Sequence, residues 1–173
     1  MAEAGRCTTQ WLGRPLSRRY QQAFIDVAIV RLREAQGQQD RHVHWAFGWL
    51  PDGECEALGA WMDPGDGGAD PGRLLADLQA RGVERIWNLA GTGSGTAQVQ
   101  ETVSKPALLE AEQLRAGLHR AIRRRGSFEN VAAVLDFMAD ALQRAERRLD
   151  RERLTAKGQP RLESGAQMAS PGI

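Results

Sequence analysis

With 173 residues, 42% of them apolar, the chain is long enough for one domain with a real core plus a tail, and too short for two comfortable domains. Its two cysteines, Cys7 and Cys55, have no CxxC spacing, which points to neither a disulfide scaffold nor a structural zinc site. No apolar leader follows Met1 and no run approaches the length that spans a bilayer, so a soluble cytoplasmic protein with reduced thiols is expected.

The overall charge, 23 Lys/Arg against 22 Asp/Glu, hides an asymmetry. Residues 1–112 hold 11 basic and 15 acidic side chains, and residues 113–173 hold 12 and 7. The basic C-terminal part reads either as a surface for nucleic acid or as a solvated helix face.

In chain order, QAFIDVAIVRLR at 22–33 is rich in β-branched and aromatic residues and predicts a strand, and HVHWAFGWL at 42–50 predicts a second, joined as a hairpin through the polar EAQGQQD. PDGE at 51–54 carries an Asp-Gly turn signal and leads into a third strand, CEALGAWM. After DPGDGGA, Asp70 can cap a helix that Pro71 opens, with Leu74, Leu75 and Leu78 as its stripe and Gly82 as its end. RIWNLA at 85–90 is then a strand, and a right-handed crossover places it parallel in the same sheet. If it lies beside the first strand, the order is 3-2-1-4.

The rest reads as helix. Pro106 opens a segment whose positions Ala107, Ala111, Leu114, Leu118 and Ala121 keep helical spacing, and Gly126 closes it. Asn130 can cap a last helix with Val131, Val134, Leu135, Met138, Leu142 and Leu149 facing inward. From about residue 154 Gly, Ser, Gln and Pro take over. The expected organisation is a tail at 1–10, one α/β domain at 11–153, and a disordered tail at 154–173.

Asp26 is the most informative residue. It lies within FIDVAIV, where both faces of the strand are apolar, so the strand should be central and the carboxylate removed from water. Such a group needs a metal, a cation or several donors; a loop cap or an arginine partner would also serve. In a 3-2-1-4 sheet the end of RIWNLA lies next to Asp26. An acid just past that strand, and a third from a later helix, would complete a cage for two metals of the kind that handles phosphodiesters. Instead of an acid, Gly91, Thr92, Gly93, Ser94 and Gly95 follow.

Those glycines are spaced GxGxG rather than GxGxxG, the following TAQVQETVSKP is a poor helix, and Glu110 and Glu112 fall within a helix and not at a strand end. A dinucleotide cradle is therefore the weaker reading; it predicts thermal stabilisation by a dinucleotide. His42 and His44 share one strand face without a third ligand and read as surface or partner-facing. The five tryptophans read as core and sheet-face filling.

Four blocks, WLGRPLSRRYQQAFIDVAIVRLREAQ, HVHWAFGWLPDGECEALGAWMDPGDGGA, LLADLQARGVERIW and EQLRAGLHRAIRRRGSFENVAAVLDFMADALQRAERRL, together resemble the Mutator-type transposases of bacterial insertion sequences, a DDE class. The resemblance covers most of residues 11–150. It implies a ribonuclease H-like mixed sheet, a three-strand antiparallel meander plus a parallel strand in the order 3-2-1-4, with flanking C-terminal helices. It also implies metal-dependent cleavage and strand transfer at DNA phosphodiesters.

By that resemblance Asp26 is the first triad carboxylate and Glu112, sixteen residues ahead of Phe128, the third; both are the implied ligands of Mg2+ or Mn2+. Thr92 stands where the second acid belongs, and a neutral oxygen is a weak partner for a hard divalent cation. Glu112 also precedes Arg115 by three residues, the spacing of an ordinary helix ion pair. Arg120, Arg123, Arg124 and Arg125 are implied to grip DNA, the element's ends and its target. Self-association is left open, and no membrane is involved.

About ten residues precede WLGRPL, where the family carries a DNA-binding region, and 19 residues separate Thr92 from Glu112, where it carries a helical insertion. The resemblance thus implies a truncated, internally deleted and catalytically defective transposase. The alternative is a non-catalytic DNA- or protein-binding module that uses the arginine-rich helices.

Overall fold

Arg19–Glu34 forms the longest strand, β1, in the computed structural model, which describes residues 10–63, 71–91 and 105–158. It is followed by β2 (Gly37–Trp49), β3 (Cys55–Met62), α1 (Pro71–Ala80), β4 (Arg85–Gly91), α2 (Lys105–Arg125), β5 (Ser127–Phe128) and α3 (Val131–Gly158). The sheet order is β3-β2-β1-β4, with β2 antiparallel to β1 and β3, and β4 parallel to β1. Both the mixed sheet and its 3-2-1-4 order are thus as expected. The short β5 was not anticipated: it pairs parallel with β1 at Arg31 and Leu32, beyond the end of β4.

A helix layer lies on each face of the sheet, because β1 and β2 are apolar on both sides. On one face Phe24, Trp45, Phe47 and Trp49 pack with Leu114 and Leu118 of α2, Phe128 of β5, and Val134, Met138 and Leu142 of α3. On the other, Tyr20, Ala46 and Leu58 pack with Leu74 and Leu78 of α1 and with Val83.

Local chemistry sets the element ends. At the end of α1, Gly82 adopts φ +105°, and Val83 N–H donates to the Leu78 carbonyl at 3.0 Å, the closure that a left-handed glycine permits. Asn130 caps α3 as expected, accepting from the Ala133 N–H at 2.8 Å. Asp70 lies outside the described residues.

Several expectations need correction. The β1–β2 pairing continues to Glu34↔Gly37, so the polar segment read as a connection is mostly strand. Ile122, not Ala121, completes the buried stripe of α2, while Leu75 and Val131 are exposed. Trp45 and Trp49 are buried, but Trp87 on β4 is 44% exposed. The last helix also runs on to Gly158, past the start of the expected disordered tail; the remainder of that tail lies outside the described residues.

A β-bulge interrupts the β2–β3 pairing between Ala46 and Phe47: Ala46 pairs with Gly59 and Phe47 with Ala57, which leaves Leu58 out of the register. Gly59 has φ +151°, and a Cβ there would meet the Trp61 ring at 2.9 Å. The Leu58 carbonyl accepts instead from Arg81 Nη1 at 2.7 Å. Arg81 Nε also donates to the Arg14 carbonyl at 2.9 Å, tying the N-terminal segment to α1 and the bulge.

Arg14, from the WLGRPL block, stacks its guanidinium over Trp11 at 4.1 Å, donates to the Ala57 carbonyl at 3.0 Å, and faces Glu146 at 3.5 Å and Glu56 at 3.8 Å. Tyr20 Oη donates to Glu56 from a fully buried ring, and burial raises its pKa further than the carboxylate neighbour does.

Cys55 is buried, and burial pushes its thiol up to about 12. A Cys7→Ser chain at about pH 8 is therefore expected to show no thiol reactive toward Ellman's reagent until denaturant is added. Rapid labelling of the folded chain would contradict this burial.

Candidate functional site around Asp26

Asp26 sits mid-strand in β1, in the row with Phe24 and Ala28 that faces the α2–α3 layer, and it is 0% exposed. Trp45 is its partner on β2. On the β4 side the pairing is described as far as Ile25↔Gly91, one residue short of Asp26. Thr92, Gly93, Ser94 and Gly95 lie outside the described residues.

The carboxylate is compensated from α2. Arg115 Nε is 3.3 Å from Asp26 Oδ2, and His119 Nε2 is 3.1 Å from the same oxygen. Arg115 also reaches Glu112, with Nη1 3.7 Å from Oε2. The helix makes this possible: residues 112, 115 and 119 follow i, i+3, i+7 and so share one face, beside the buried stripe that docks α2 on the sheet. Asp26 and Glu112 are thereby brought into one cluster, with Arg115 between them.

The sequence supplied both the arginine option for Asp26 and the Glu112–Arg115 pairing, each as the plainer alternative to catalysis. His119 was missed. The available signal was its position four residues after Arg115, one turn further along the same face.

Arg120, Arg123, Arg124 and Arg125 are exposed. Arg120 and Arg124 line a shallow cleft between α2 and α3, together with Arg148 and the small residues Ala116, Gly117 and Ala121. Arg125 lies with its guanidinium 5.9 Å over the Phe128 ring. Arg148, on α3, was not among the residues expected to meet DNA.

His42 is exposed and His44 is half-buried on the α1 face of the sheet. Burial lowers the His44 pKa, and the charge of Asp63 opposes that shift. Among the described residues, no group of three or more His, Cys, Asp or Glu is placed to hold a metal ion. Glu110, noted when the dinucleotide cradle was weighed, accepts from Trp49 Nε1 at 2.7 Å and pairs with Arg153 at 2.9 Å.

The described residues thus form a mixed α/β sheet with a buried acid on its central strand and a cleft lined by three arginines. A model of the Mutator family of transposases matches residues 4–93, more than half of the chain, and the chain belongs to that family. Similar proteins include a probable transposase for insertion sequence element ISRM3-like from Sinorhizobium fredii (strain NBRC 101917 / NGR234) and a transposase for insertion sequence element ISRM3 from Rhizobium meliloti (strain 1021). Each is 31% identical over 77 residues, 44% of this chain and 19% of the relative. The aligned part thus spans about a fifth of the length of these relatives. No helix among the described residues is long and apolar enough to cross a membrane.

Proposed function

We propose that this chain is a transposase core of ribonuclease H-like fold that has lost strand cleavage and keeps contact with DNA through its arginine-rich helices. The fold assignment is supported by the β3-β2-β1-β4 order with its single parallel β1–β4 pairing and helices on both faces. The observation that carries the loss of cleavage is the setting of Asp26, whose buried carboxylate lies 3.3 Å from the Arg115 guanidinium and 3.1 Å from His119 Nε2.

The family's chemistry calls for Mg2+ or Mn2+ held between carboxylates. The residues present do not fit that ion. One oxygen of Asp26 is in contact with both Arg115 and His119, Glu112 faces the same arginine, and threonine stands at position 92 in place of an acid. A cation placed there would meet a guanidinium, which does not deprotonate in a protein. No hydrolytic or strand-transfer step is therefore assigned to this chain.

DNA contact is supported by the cleft between α2 and α3, which Arg120, Arg124 and Arg148 line together with Ala116, Gly117 and Ala121; its one acid, Glu152, lies 3.8 Å from Arg148 and leaves the lining net positive. The expected result with supercoiled plasmid in Mg2+ or Mn2+ is no nicking. Fluorescence anisotropy with a labelled duplex should show binding that weakens steeply with salt, ignores magnesium and is reduced by Arg120→Ala with Arg124→Ala. Divalent-dependent nicking that disappears in Asp26→Ala would overturn the proposal; binding insensitive to salt would remove its second half.

A further inference from the structure

We infer that the Arg115 guanidinium, with His119 beside it, stands in for a divalent cation at Asp26, so that the cluster is a permanent strap between β1 and α2. This rests on reading Asp26 and Glu112 as the first and third acid positions. Three observations support it.

First, the charge is internal to the chain. Asp26 is 0% exposed, and an ionised carboxylate so placed needs a positive partner wherever the chain is folded. Second, the partner bridges. Arg115 touches Asp26 through Nε and Glu112 through Nη1, so one planar cation spans the two carboxylates that a metal would otherwise draw together. An arginine suits this role better than a lysine because its donors diverge from a rigid plane. Third, the cation is built into a docked element. Leu114 and Leu118, adjacent to Arg115 and His119 in sequence, are buried against the sheet, so the two donors arrive with the packing of α2 and need no ligand to order them.

A mobile metal ion gives a site whose occupancy follows concentration; a side chain gives one that is always filled. Folding therefore no longer depends on divalent cations at this position, and Asp26 keeps a structural role after the chemistry has gone.

The test is thermal unfolding of the full chain and of Asp26→Asn, Arg115→Gln and the double variant, each with and without millimolar MgCl2 or MnCl2 at matched ionic strength. The native chain is expected to show no divalent-specific shift. Each single substitution should lower Tm by roughly 5–10 °C, and the double variant should fall little further than the worse single, since both changes break one interaction. Additive losses, or single variants with unchanged Tm, would overturn the strap. A Tm rise of the native chain in Mn2+ that Asp26→Asn abolishes would overturn the substitution for a metal. Should the variants not fold, calorimetric titration of Mn2+ into the native chain decides alone: measurable binding sinks the inference, and its absence upholds it. Plasmid nicking bears on the proposed function, whereas coupling between positions 26 and 115 bears on the strap, so the two can fail separately.

Discussion

Replacing Trp45 by alanine should lower the unfolding free energy by about 3–5 kcal/mol, the range for emptying a buried aromatic site. Trp45 is 0% exposed, pairs with Asp26 on one side and Ala60 on the other, and meets the Phe24 ring at 5.8 Å with the planes tilted by 51°. Strands at 4.8 Å spacing hold their positions through backbone bonds, so neighbours cannot close over the void and most of the cavity persists. Phenylalanine should cost much less. The indole Nε1 has no hydrogen-bond partner among the described residues, and removing a buried unpaired donor offsets part of the lost packing. Urea unfolding of the two variants checks both: a loss below about 1.5 kcal/mol for Trp45→Ala would mean that the sheet relaxes around the gap.

Arg81→Met is expected to cost about 3 kcal/mol or more, through a different mechanism. The side chain is 8% exposed and donates to the carbonyls of Leu58 at 2.7 Å and Arg14 at 2.9 Å, while Asp77 lies at 3.4 Å. Methionine approximates the aliphatic stem and removes every donor, leaving two carbonyls without their arginine partner and the bulge at Leu58 unsupported. Arg81→Lys should recover only part of the loss, because one ammonium cannot reproduce the diverging guanidinium donors. Equilibrium urea titration at neutral pH is the measurement, and a lysine variant as stable as the parent would show that charge, not geometry, matters at this position.

How much of this was readable depended on whether apolar pattern or polar contact fixes an element. The third strand was placed at residues 55–62, where β3 is found, because an Asp-Gly turn bounds it and its residues fill both sheet faces. The far end of the β1–β2 hairpin was hidden because residues 36–40 are all exposed, so backbone pairing continues where no hydrophobic signal marks it. The end of α3 was hidden for a related reason: Leu149 is its last buried apolar residue, and beyond it Arg153 is held by Glu110, forty-three residues earlier. A local pattern cannot report a contact of that reach.

At the site, burial of Asp26 followed from the apolar residues flanking it. Its partners did not, since the sequence alone does not say which face of α2 meets β1. Choosing Ala121 over Ile122 for the stripe is the same ambiguity in small: adjacent positions lie about 100° apart around a helix, and docking decides between them.

β1 pairs with β2, β4 and β5, so among the described strands β3 alone, on β2, joins the sheet without touching it. During synthesis the β1–β2–β3 meander is complete by Met62, yet the helices that cover Phe24, Trp45 and Phe47 are not finished until beyond residue 142. For that interval, at ribosomal speed some seconds long, an aromatic sheet face waits for its cover. Early termination within α2 would leave that face bare for good, which makes the chain's last third a requirement for solubility as much as for shape.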